Sequence, residues 1–350
     1  MNDLRIYPKN FAPSATKIHR IYEALLMRSA KRWASAGISI SLVAASAAWS
    51  QAYPTRPVRL IVPFAAGGPG DAVGRQIAPG LSEIWGHQVV IDNRAGANSI
   101  VGSEVTARAA PDGYTLCLPS AGFTINVSLY PKLPFDAIRD FTPVTSVTFG
   151  PSILVTHPSL PVRNLKDLVA LAKAKPRALA YGSSGSGAPS SHLGMELLKV
   201  TAGIDIIHVP YKSMAPALVD VLGGQIQMAM PTINVTLQHI RAGRLRAIGV
   251  TSLQRSAAAP DVPPLADQGM PGYEANNWYA LFAPAGLPAP IAEKIYNDMS
   301  KLFQSQELRD RFAAAGMEAR SMPPAEFAAF VKREIAKWGK VVKASGARAE

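Results

Sequence analysis

The chain has 350 residues and a formal net charge of +12, with 36 Lys and Arg against 24 Asp and Glu. This length is enough for two domains of ordinary size, and the single cysteine, Cys117, excludes an intramolecular disulfide. The basic residues are scattered and form no runs with interleaved aromatics, which makes nucleic acid a poor candidate partner. A positive net charge instead favours encounter with small anions.

The N-terminal segment has the pattern of a secretory signal. A basic stretch at residues 27–32 precedes a small, apolar, uncharged stretch at 33–48, and the SQA tripeptide ending at Ala52 has the small-x-small pattern that signal peptidase cuts. We predict cleavage after Ala52. The alternative is an N-terminal membrane anchor, which the short Ala- and Ser-rich apolar run disfavours. Residues 1–26 precede a second plausible start at Met27, which suggests an over-extended start codon.

Strand and helix patterns alternate from Val58 onward, which predicts an α/β domain of parallel strands joined by right-handed crossovers. The PDG tripeptide at 111–113 ends the second helix pattern, because these residues favour a turn. Cys117 lies in the third strand pattern, where a buried small apolar side chain is favoured over a reactive thiol. The predicted elements are strands 58–62, 89–92 and 114–118 and helices 71–85 and 99–110.

A second α/β unit begins near Ile153, and a strand near Asn277 returns the chain to the first unit. We therefore predict domain 1 over 53–152 and 278–350, domain 2 over 153–277, and a hinge at the two crossings. The predicted elements are strands 152–156, 179–181, 205–209, 225–230, 245–250 and 277–283 and helices 165–174, 190–202, 215–222, 290–304, 305–315 and 324–344. Asn164 is the expected N-cap of the first of these helices.

The first glycine-rich segment is PFAAGGPGD at residues 63–71, between the first strand and the first helix. A junction of this kind points backbone N–H groups and the positive end of a helix dipole at an open space, which suits an anion. The segment lacks the pattern of a phosphate loop, and a tight turn with glycines at positive φ is equally compatible. Asp71 either caps the helix or holds a bridging water or a ligand ammonium.

The second glycine-rich segment is GSSGSG at residues 182–187. Ser184 nearly completes the Gly-x-Ser-x-Gly pattern of a nucleophile elbow, but Ser186 stands where the pattern needs glycine. A serine hydrolase using Ser184 is therefore kept as an alternative, and the serines are expected to donate hydroxyls to a ligand. His192 either touches the ligand or holds the loop. Lys212 is either a surface charge or the cation that faces a carboxylate.

The histidines show no metal-binding pattern. None forms a His-x-x-x-His pair or neighbours an acidic cluster at ligand spacing, so we expect neither a metal nor a cofactor. They are His19, His87, His157, His192, His208 and His239.

Several segments, taken in order, resemble the Bug (TctC-like) family, the extracytoplasmic solute receptors of tripartite tricarboxylate transporters. The resemblance begins at Tyr53 and covers essentially the rest of the chain. The matching segments are YPTRPVRLIVPF at 53–64, DNRAGA at 92–97, APDGYTL at 110–116, LYPKLPFD at 129–136, HVPYK at 208–212 and IRAGRLRA at 240–247.

The resemblance implies an α/β, two-domain periplasmic binding protein of the Venus-flytrap, type II-like kind, with hinge strands. Such a protein is a monomer without catalysis or cofactor, and it serves the membrane permease subunits of a tripartite tricarboxylate transporter. Its ligand is a small carboxylate held between the domains by loop amides, hydroxyls and ordered water. The implied contacts are Phe64, Ala66, Gly68, Asp71, Ser120 and Ala121 in domain 1 and Ser183, Ser186, Gly187, His192 and Tyr211 in domain 2.

The chain departs from the family pattern at three places. Gly70 stands where the family often has Asn, Ser213 follows Tyr-Lys where Gly is usual, and the Pro231-Thr232 pair replaces an Asp-Asn pair. The lost polar groups argue against an amino-acid ligand and leave the acid open. A receptor that presents its ligand to a sensor kinase is compatible with the same sequence.

Overall fold

Two mixed β-sheets organise the fold in the computed structural model, which describes residues 53–185 and 188–348. The predicted signal segment, its cleavage site after Ala52 and the second start at Met27 lie outside the described residues. From Pro54 onward the chain packs as one compact unit. Within the described residues, no helix combines the length and the apolar character that a membrane crossing requires.

The described strands fall into two sheets that share no strand. The strands are β1 (Val58–Val62), β2 (Val89–Asn93), β3 (Thr115–Cys117), β4 (Phe141–Gly150), β5 (Ile153–Thr156), β6 (Ala180–Ser183), β7 (Ile207–Pro210), β8 (Met228–Ala229), β9 (Arg246–Val250), β10 (Asn277–Pro284) and β11 (Glu318–Ala319). The first sheet has the order β11-β4-β10-β3-β1-β2 and the second has the order β7-β6-β8-β5-β9.

Helices connect most of these strands, as the alternating pattern predicts. They are α1 (Pro69–Trp85), α2 (Ile100–Ala107), α3 (Gly122–Leu129), α4 (Leu165–Ala174), a π-helix (Pro189–Gly194), α5 (Met195–Ala202), α6 (Met214–Leu222), α7 (Leu237–Arg241), α8 (Ala289–Leu302), α9 (Gln306–Ala314) and α10 (Pro324–Ser345). The predicted cap Asn164 is confirmed, since its side chain accepts a hydrogen bond from the Asp167 amide at 2.9 Å.

The parallel pairing predicted for the first unit holds only at its centre. β1 pairs in parallel with both β2 and β3, whereas β10 runs antiparallel to β3 and β4. In the second sheet, β6 is parallel to β7 and β8, while β5 is antiparallel to β8 and β9. The antiparallel strands in the middle of the first sheet, β4 and β10, are those that lead into and out of the second.

Strand β4 is the largest element that the sequence patterns miss, and its polar side chains explain why. Thr145 and Ser146 interrupt the apolar pattern, yet both are fully buried. Thr145 Oγ1 donates to the Met322 carbonyl at 2.9 Å, and Ser146 Oγ donates to the Arg320 carbonyl at 2.6 Å. Buried hydroxyls of this kind are stable because a distant segment supplies acceptors, which no local pattern can indicate.

The chain enters the second sheet after β4 and returns to the first through β10. The predicted boundaries near residues 152 and 277 coincide with these sheet crossings. The division into two domains with a hinge stays a prediction, because residues from Pro54 onward pack as a single unit.

The C-terminal helix α10 contributes side chains to two apolar clusters. Its first half buries Phe327 beside Trp278 of β10, in the cluster of the first sheet. Its second half buries Trp338 in the cluster that contains Leu154 of β5. Because one rigid helix supplies both clusters, we infer that α10 couples the packing of the two sheets.

We expect Trp338→Ala to lower the free energy of unfolding by about 3–5 kcal/mol, the usual cost of truncating a buried aromatic residue. The Trp338 side chain is fully buried and its Nε1 donates to Glu334 Oε2 at 2.9 Å. Chemical denaturation measures the effect. The exposed Lys340 on the same helix supplies the control, since Lys340→Ala is expected to change the free energy by less than about 0.5 kcal/mol. Equal, small effects of both changes would contradict the coupling role of α10.

Candidate functional site

The first wall of the candidate site consists of the loops that follow β1, β2 and β3, at residues 63–68, 94–99 and 118–121. Since β1, β2 and β3 are mutually parallel neighbours, the three loops leave the same edge of the sheet, where α/β sheets place ligands. The structure therefore brings two predicted regions together, the glycine-rich segment after β1 and the segment around Ser120 after β3.

The loop after β1 ends at the N-terminus of α1. The helix begins at Pro69, two residues before the predicted start, because proline suits a first helical position that needs no N–H acceptor. Gly68 is the N-cap residue and supplies no side-chain cap. Ala66 is exposed and Gly68 is half-buried. The positive end of the α1 dipole thus lies at an accessible loop that no capping side chain fills.

Asp71 is a buried hub for this loop, with only 1% of its surface exposed. Its Oδ2 accepts from the Gly67 amide and from Arg75 Nε, both at 2.8 Å, and its Oδ1 accepts from Asn93 Nδ2 at 2.9 Å. The same Asn93 nitrogen also donates to the Phe64 carbonyl at 3.1 Å. The side chain therefore organises the loop from behind, and its carboxylate oxygens are already engaged within the protein.

The hydrogen bond from Arg75 lowers the pKa of Asp71 to about 2, and the Gly67 amide and Asn93 add to the effect, while burial opposes it. Asp71 is therefore ionised at neutral pH and paired with Arg75 at 2.8 Å. This internal pairing compensates a negative charge that would otherwise repel an anion at the same helix terminus.

Phe64 packs over the start of α1. A Cβ atom added at Gly70 would lie 2.2 Å from the Phe64 ring, so glycine makes room for the aromatic side chain. The other neighbour of the ring is Tyr279 of β10, in an edge-to-face contact with centroids 5.8 Å apart. The departure from the family pattern at Gly70 thus has a local cause, namely the position of the Phe64 ring.

Strand β10 holds the predicted residues Ser120 and Ala121. Ser120 forms an isolated antiparallel bridge with Tyr279, and the Ala121 amide donates to the Trp278 carbonyl at 2.9 Å. Ala121 is fully buried and Ser120 is half-buried. The Ala121 amide therefore serves the connection to β10, whereas Ser120 lies nearer the surface of the wall.

The loop after β2 is a part of the wall to which sequence reasoning assigned no site residue. Three successive residues that are not glycine, Ala97, Asn98 and Ser99, have φ values of 43°, 51° and 74°. Such residues cost of order 1 kcal/mol each and persist only where neighbours fix them. Here Asn98 Nδ2 donates to Asn126 Oδ1 and Asn126 Nδ2 donates to the Asn98 carbonyl, both at 2.8 Å. The tolerance of Asn for left-handed backbone is the sequence signal that could have indicated this loop.

The second wall consists of the residues that follow β6 and β7, together with the π-helix. Because β6 and β7 are parallel, these segments also share one edge of their sheet. Ser183 is fully buried and His192, on the π-helix, is 5% exposed. Ser186 and Gly187 lie outside the described residues, so their predicted contacts stay predictions. Ser190 of the π-helix accepts from Ser152 at 2.8 Å, which ties this wall to the crossing between the sheets.

The two described serines of the second glycine-rich segment have different partners. Ser184 Oγ lies 2.9 Å from Ser191 Oγ, while Ser183 Oγ lies 2.7 Å from His208 Nε2. His208 was not among the predicted site residues, although it precedes the predicted Tyr211 in the HVPYK segment. The sequence signal was therefore present, but its partner is 25 residues away along the chain.

Tyr211 is directed toward α6 by its hydroxyl group. The hydroxyl donates to Asp220 Oδ2 at 2.6 Å, and burial followed by this hydrogen bond raises the pKa of Tyr211 to about 12. The Tyr211 amide donates to the Ser183 carbonyl at 3.1 Å and so links the ends of β6 and β7. The adjacent Lys212 is exposed.

Metal-ligating side chains do not cluster in residues 53–185 or 188–348. No group of three or more His, Cys, Asp or Glu side chains in these ranges could hold a metal ion. Burial raises the pKa of the Cys117 thiol to about 12, which makes it a poor nucleophile or ligand. The chemistry available at the two walls is therefore hydrogen bonding and electrostatics from amides, hydroxyls and imidazoles.

We expect Asp71→Ala to lower the free energy of unfolding by roughly 1–3 kcal/mol at pH 7, because it leaves buried donors without their acceptor. The folded-state pKa of Asp71 lies below the ordinary value of 3.8, so its contribution is complete above that pH and is lost as the pH falls through about 2. The difference between wild type and variant should therefore narrow below pH 4. Denaturant titrations from pH 7 to 3 measure it, with exposed Asp261→Ala as control. A difference that widens in acid would contradict the assignment.

Comparison with known proteins gives one consistent picture. The sequence model of the family described as "Tripartite tricarboxylate transporter family receptor" (TctC) matches residues 73–347. Protein BugT of Bordetella pertussis is 37% identical over 298 residues, covering 85% of this chain and 91% of BugT. The solved structure of R. palustris Rpa4515 with adipate is 34% identical with a TM-score of 0.68, covering 85% of this chain and 99% of that one.

A second solved structure, MatC from Rhodopseudomonas palustris with bound malate, is 31% identical with a TM-score of 0.65, covering 83% of this chain and 100% of that one. The two-sheet α/β architecture is thus that of TctC-type periplasmic solute-binding proteins. The family match spans well over half of the chain. This chain belongs to the tripartite tricarboxylate transporter receptor (TctC) family of solute-binding proteins.

Proposed function

We propose that the chain is a periplasmic receptor that binds a small carboxylate between the first wall and the second wall. The observation that carries the proposal is the N-terminus of α1, which begins at an accessible glycine loop without a side-chain cap. The one acid of its first turn, Asp71, is buried and paired with Arg75. A helix N-terminus with its own acid compensated is a favourable site for a ligand anion.

The two walls supply complementary groups for such a ligand. The first wall offers loop amides between Phe64 and Gly68 and the hydroxyl of Ser120. The second wall offers the segment from Ser183 to Gly187 and the adjoining His192. Closure of the walls on the acid would exclude water and so strengthen each hydrogen bond to it. Affinity then depends on contacts made only in the closed state.

Linear dicarboxylates are the first ligand class to test. Two related structures contain adipate and malate, respectively. These acids share two carboxylates and differ in length and in a hydroxyl group. The polar pair expected opposite an amino-acid ammonium is replaced here by Pro231 and Thr232. We therefore favour a dicarboxylate without an amino group.

Delivery to the permease subunits of a tripartite tricarboxylate transporter is the second part of the proposal, together with export by a signal peptide cleaved after Ala52 and a monomeric state. The family description supports the transporter assignment. Presentation of the bound acid to a sensor kinase is the alternative destination. Edman sequencing of the protein isolated from periplasm tests the export, with Tyr53 expected as the first residue.

The serine hydrolase alternative has less support. Ser184 Oγ pairs with another hydroxyl, that of Ser191, at 2.9 Å, whereas a nucleophilic serine needs a base at that distance. Ser183 does lie 2.7 Å from His208 Nε2, but its side chain is fully buried. The family contains solute receptors, which also favours binding without turnover.

A thermal-shift panel of mono-, di- and tricarboxylates, amino acids and aromatic acids tests the proposal. A ligand at 100 times its dissociation constant should stabilise the folded state by about 2.7 kcal/mol. We expect a dicarboxylate to give the largest shift and Ser184→Ala to retain binding. A response to a neutral ligand alone would overturn the carboxylate assignment, and turnover that disappears in Ser184→Ala would favour the hydrolase.

Gly70→Ala tests the first wall specifically. The new methyl group would collide with the Phe64 ring, so the loop at the start of α1 must shift, and we expect carboxylate affinity to fall about tenfold or more, an effect of about 1.4 kcal/mol. Gly223→Ala is the matched control, since its added methyl group would meet the nearest atom at an ordinary 3.4 Å. Isothermal titration calorimetry measures both. Unchanged affinity in folded Gly70→Ala would exclude this loop from the site.

A further inference from the structure

Three aromatic rings stack behind the Ser183 side chain in the second wall. The His208 ring lies between Tyr181 and His192, with centroid distances of 4.9 Å and 4.1 Å and interplanar angles of 20° and 10°. His192 and Tyr181 are buried, and His208 is half-buried. The stack fixes the orientation of the His208 ring, so its Nε2 can only face Ser183.

Ser183 passes this constraint to the binding loop. Its Oγ lies 2.7 Å from His208 Nε2, donates to the Gly185 carbonyl at 3.2 Å and accepts from the Gly185 amide at 3.3 Å. When Nε2 carries a proton, Ser183 accepts from His208 and its own hydroxyl proton goes to Gly185. When Nε2 is bare, the hydroxyl proton goes to His208 instead. The protonation of His208 therefore decides which hydrogen bond closes the 183–185 turn.

The charged groups around the stack leave room for one positive charge. On the neighbouring strand, Tyr181 donates to Glu196 Oε1 at 2.6 Å, and the Glu196 charge is paired with Lys199 at 2.8 Å. On α6, Asp220 accepts from Tyr211. His192 on the π-helix faces His208 directly. Two imidazolium rings 4.1 Å apart would repel each other, so the histidine pair holds a single added proton.

We propose that His208 is a positioning residue of the carboxylate site, and that the His192–His208 pair takes up one proton from solvent when the acid binds. The imidazolium then places a positive charge behind the second wall, where Lys212 is exposed, and it fixes the 183–185 turn through Ser183. This inference rests on the proposed function. Histidine is the side chain that changes charge between about pH 5 and 8, so carboxylate affinity rises as the pH falls through that range.

Calorimetric titration with adipate, and with malate as a second probe, tests the proposal at pH 6 to 8. In two buffers of different ionisation enthalpy, the wild-type protein should take up a proton on binding, with at most one per acid. Its affinity should rise as the pH falls, by at most tenfold per pH unit. Both acids are fully ionised in this range. Affinity independent of pH and no proton uptake by the wild type would overturn the proposal.

Two variants separate positioning from a structural role. His208→Gln keeps a hydrogen-bonding group toward Ser183 but no titrating ring, so we expect near wild-type affinity at pH 8 and no rise toward pH 6. His208→Phe keeps a ring in the stack but no hydrogen bond, so affinity should fall at least tenfold at both pH values. His87→Gln, on the first sheet's side of the chain, is the control and should retain the wild-type pH profile.

The outcomes distinguish this inference from the function on which it rests. Absence of binding by any carboxylate in the wild type would remove the proposed function and the inference together. Binding with a pH profile that His208→Gln leaves intact would remove the inference alone. If neither His208 variant folds, as judged by thermal unfolding, proton uptake by the wild type decides the question by itself.

Discussion

The buried carboxylate of Asp71 is the interaction on which the site depends. A receptor for an anion needs backbone N–H groups directed at the ligand, yet the loop that presents them must itself be held. Asp71 meets both requirements, because it binds Gly67 and Asn93 from behind and neutralises its own charge on Arg75. The loop is thus shaped before a ligand arrives, and preorganisation of this kind lowers the ordering cost of binding.

The second wall solves the same problem with different chemistry. Its serines and histidines are neutral or singly charged groups, so the wall provides hydrogen bonds without a permanent acid. The π-helix that carries His192 is itself a feature that recurs at functional sites. Ser152, at the crossing from β4, bonds to this helix through Ser190. Movement at the crossing would therefore be felt at the second wall, which is the coupling that closure around a ligand requires.

The extent of the sequence prediction follows from what is local. Val58–Val62, Asn164 as a cap and the helix Leu165–Ala174 were predictable because each depends on neighbouring residues alone. The position of Asp71 at the start of α1 was also predictable, and its loop-holding role confirms the interpretation of it as an organiser. Strand β4 was missed because its hydroxyls are satisfied by residues more than 170 positions away.

The site was predictable to a smaller extent than the fold. The glycine loops and Ser120 lie at sheet edges, as expected, but Asn98 and His208 act through partners distant in sequence, Asn126 and Ser183. Tyr211 was predicted as a contact, while its hydroxyl is committed to Asp220. Which of these side chains touches the acid stays a prediction, since a pattern indicates residue types and not the direction of a hydrogen bond.

Hydrogen–deuterium exchange with and without a bound dicarboxylate tests the central claim most directly, because it reports on both walls in one measurement. The account predicts that the acid slows exchange in the loop before α1, residues 64–71, and in the segment 183–192 of the second wall, with exposed α9 as an unaffected reference. Protection confined to one wall, or located elsewhere in the chain, would contradict a ligand held between the two.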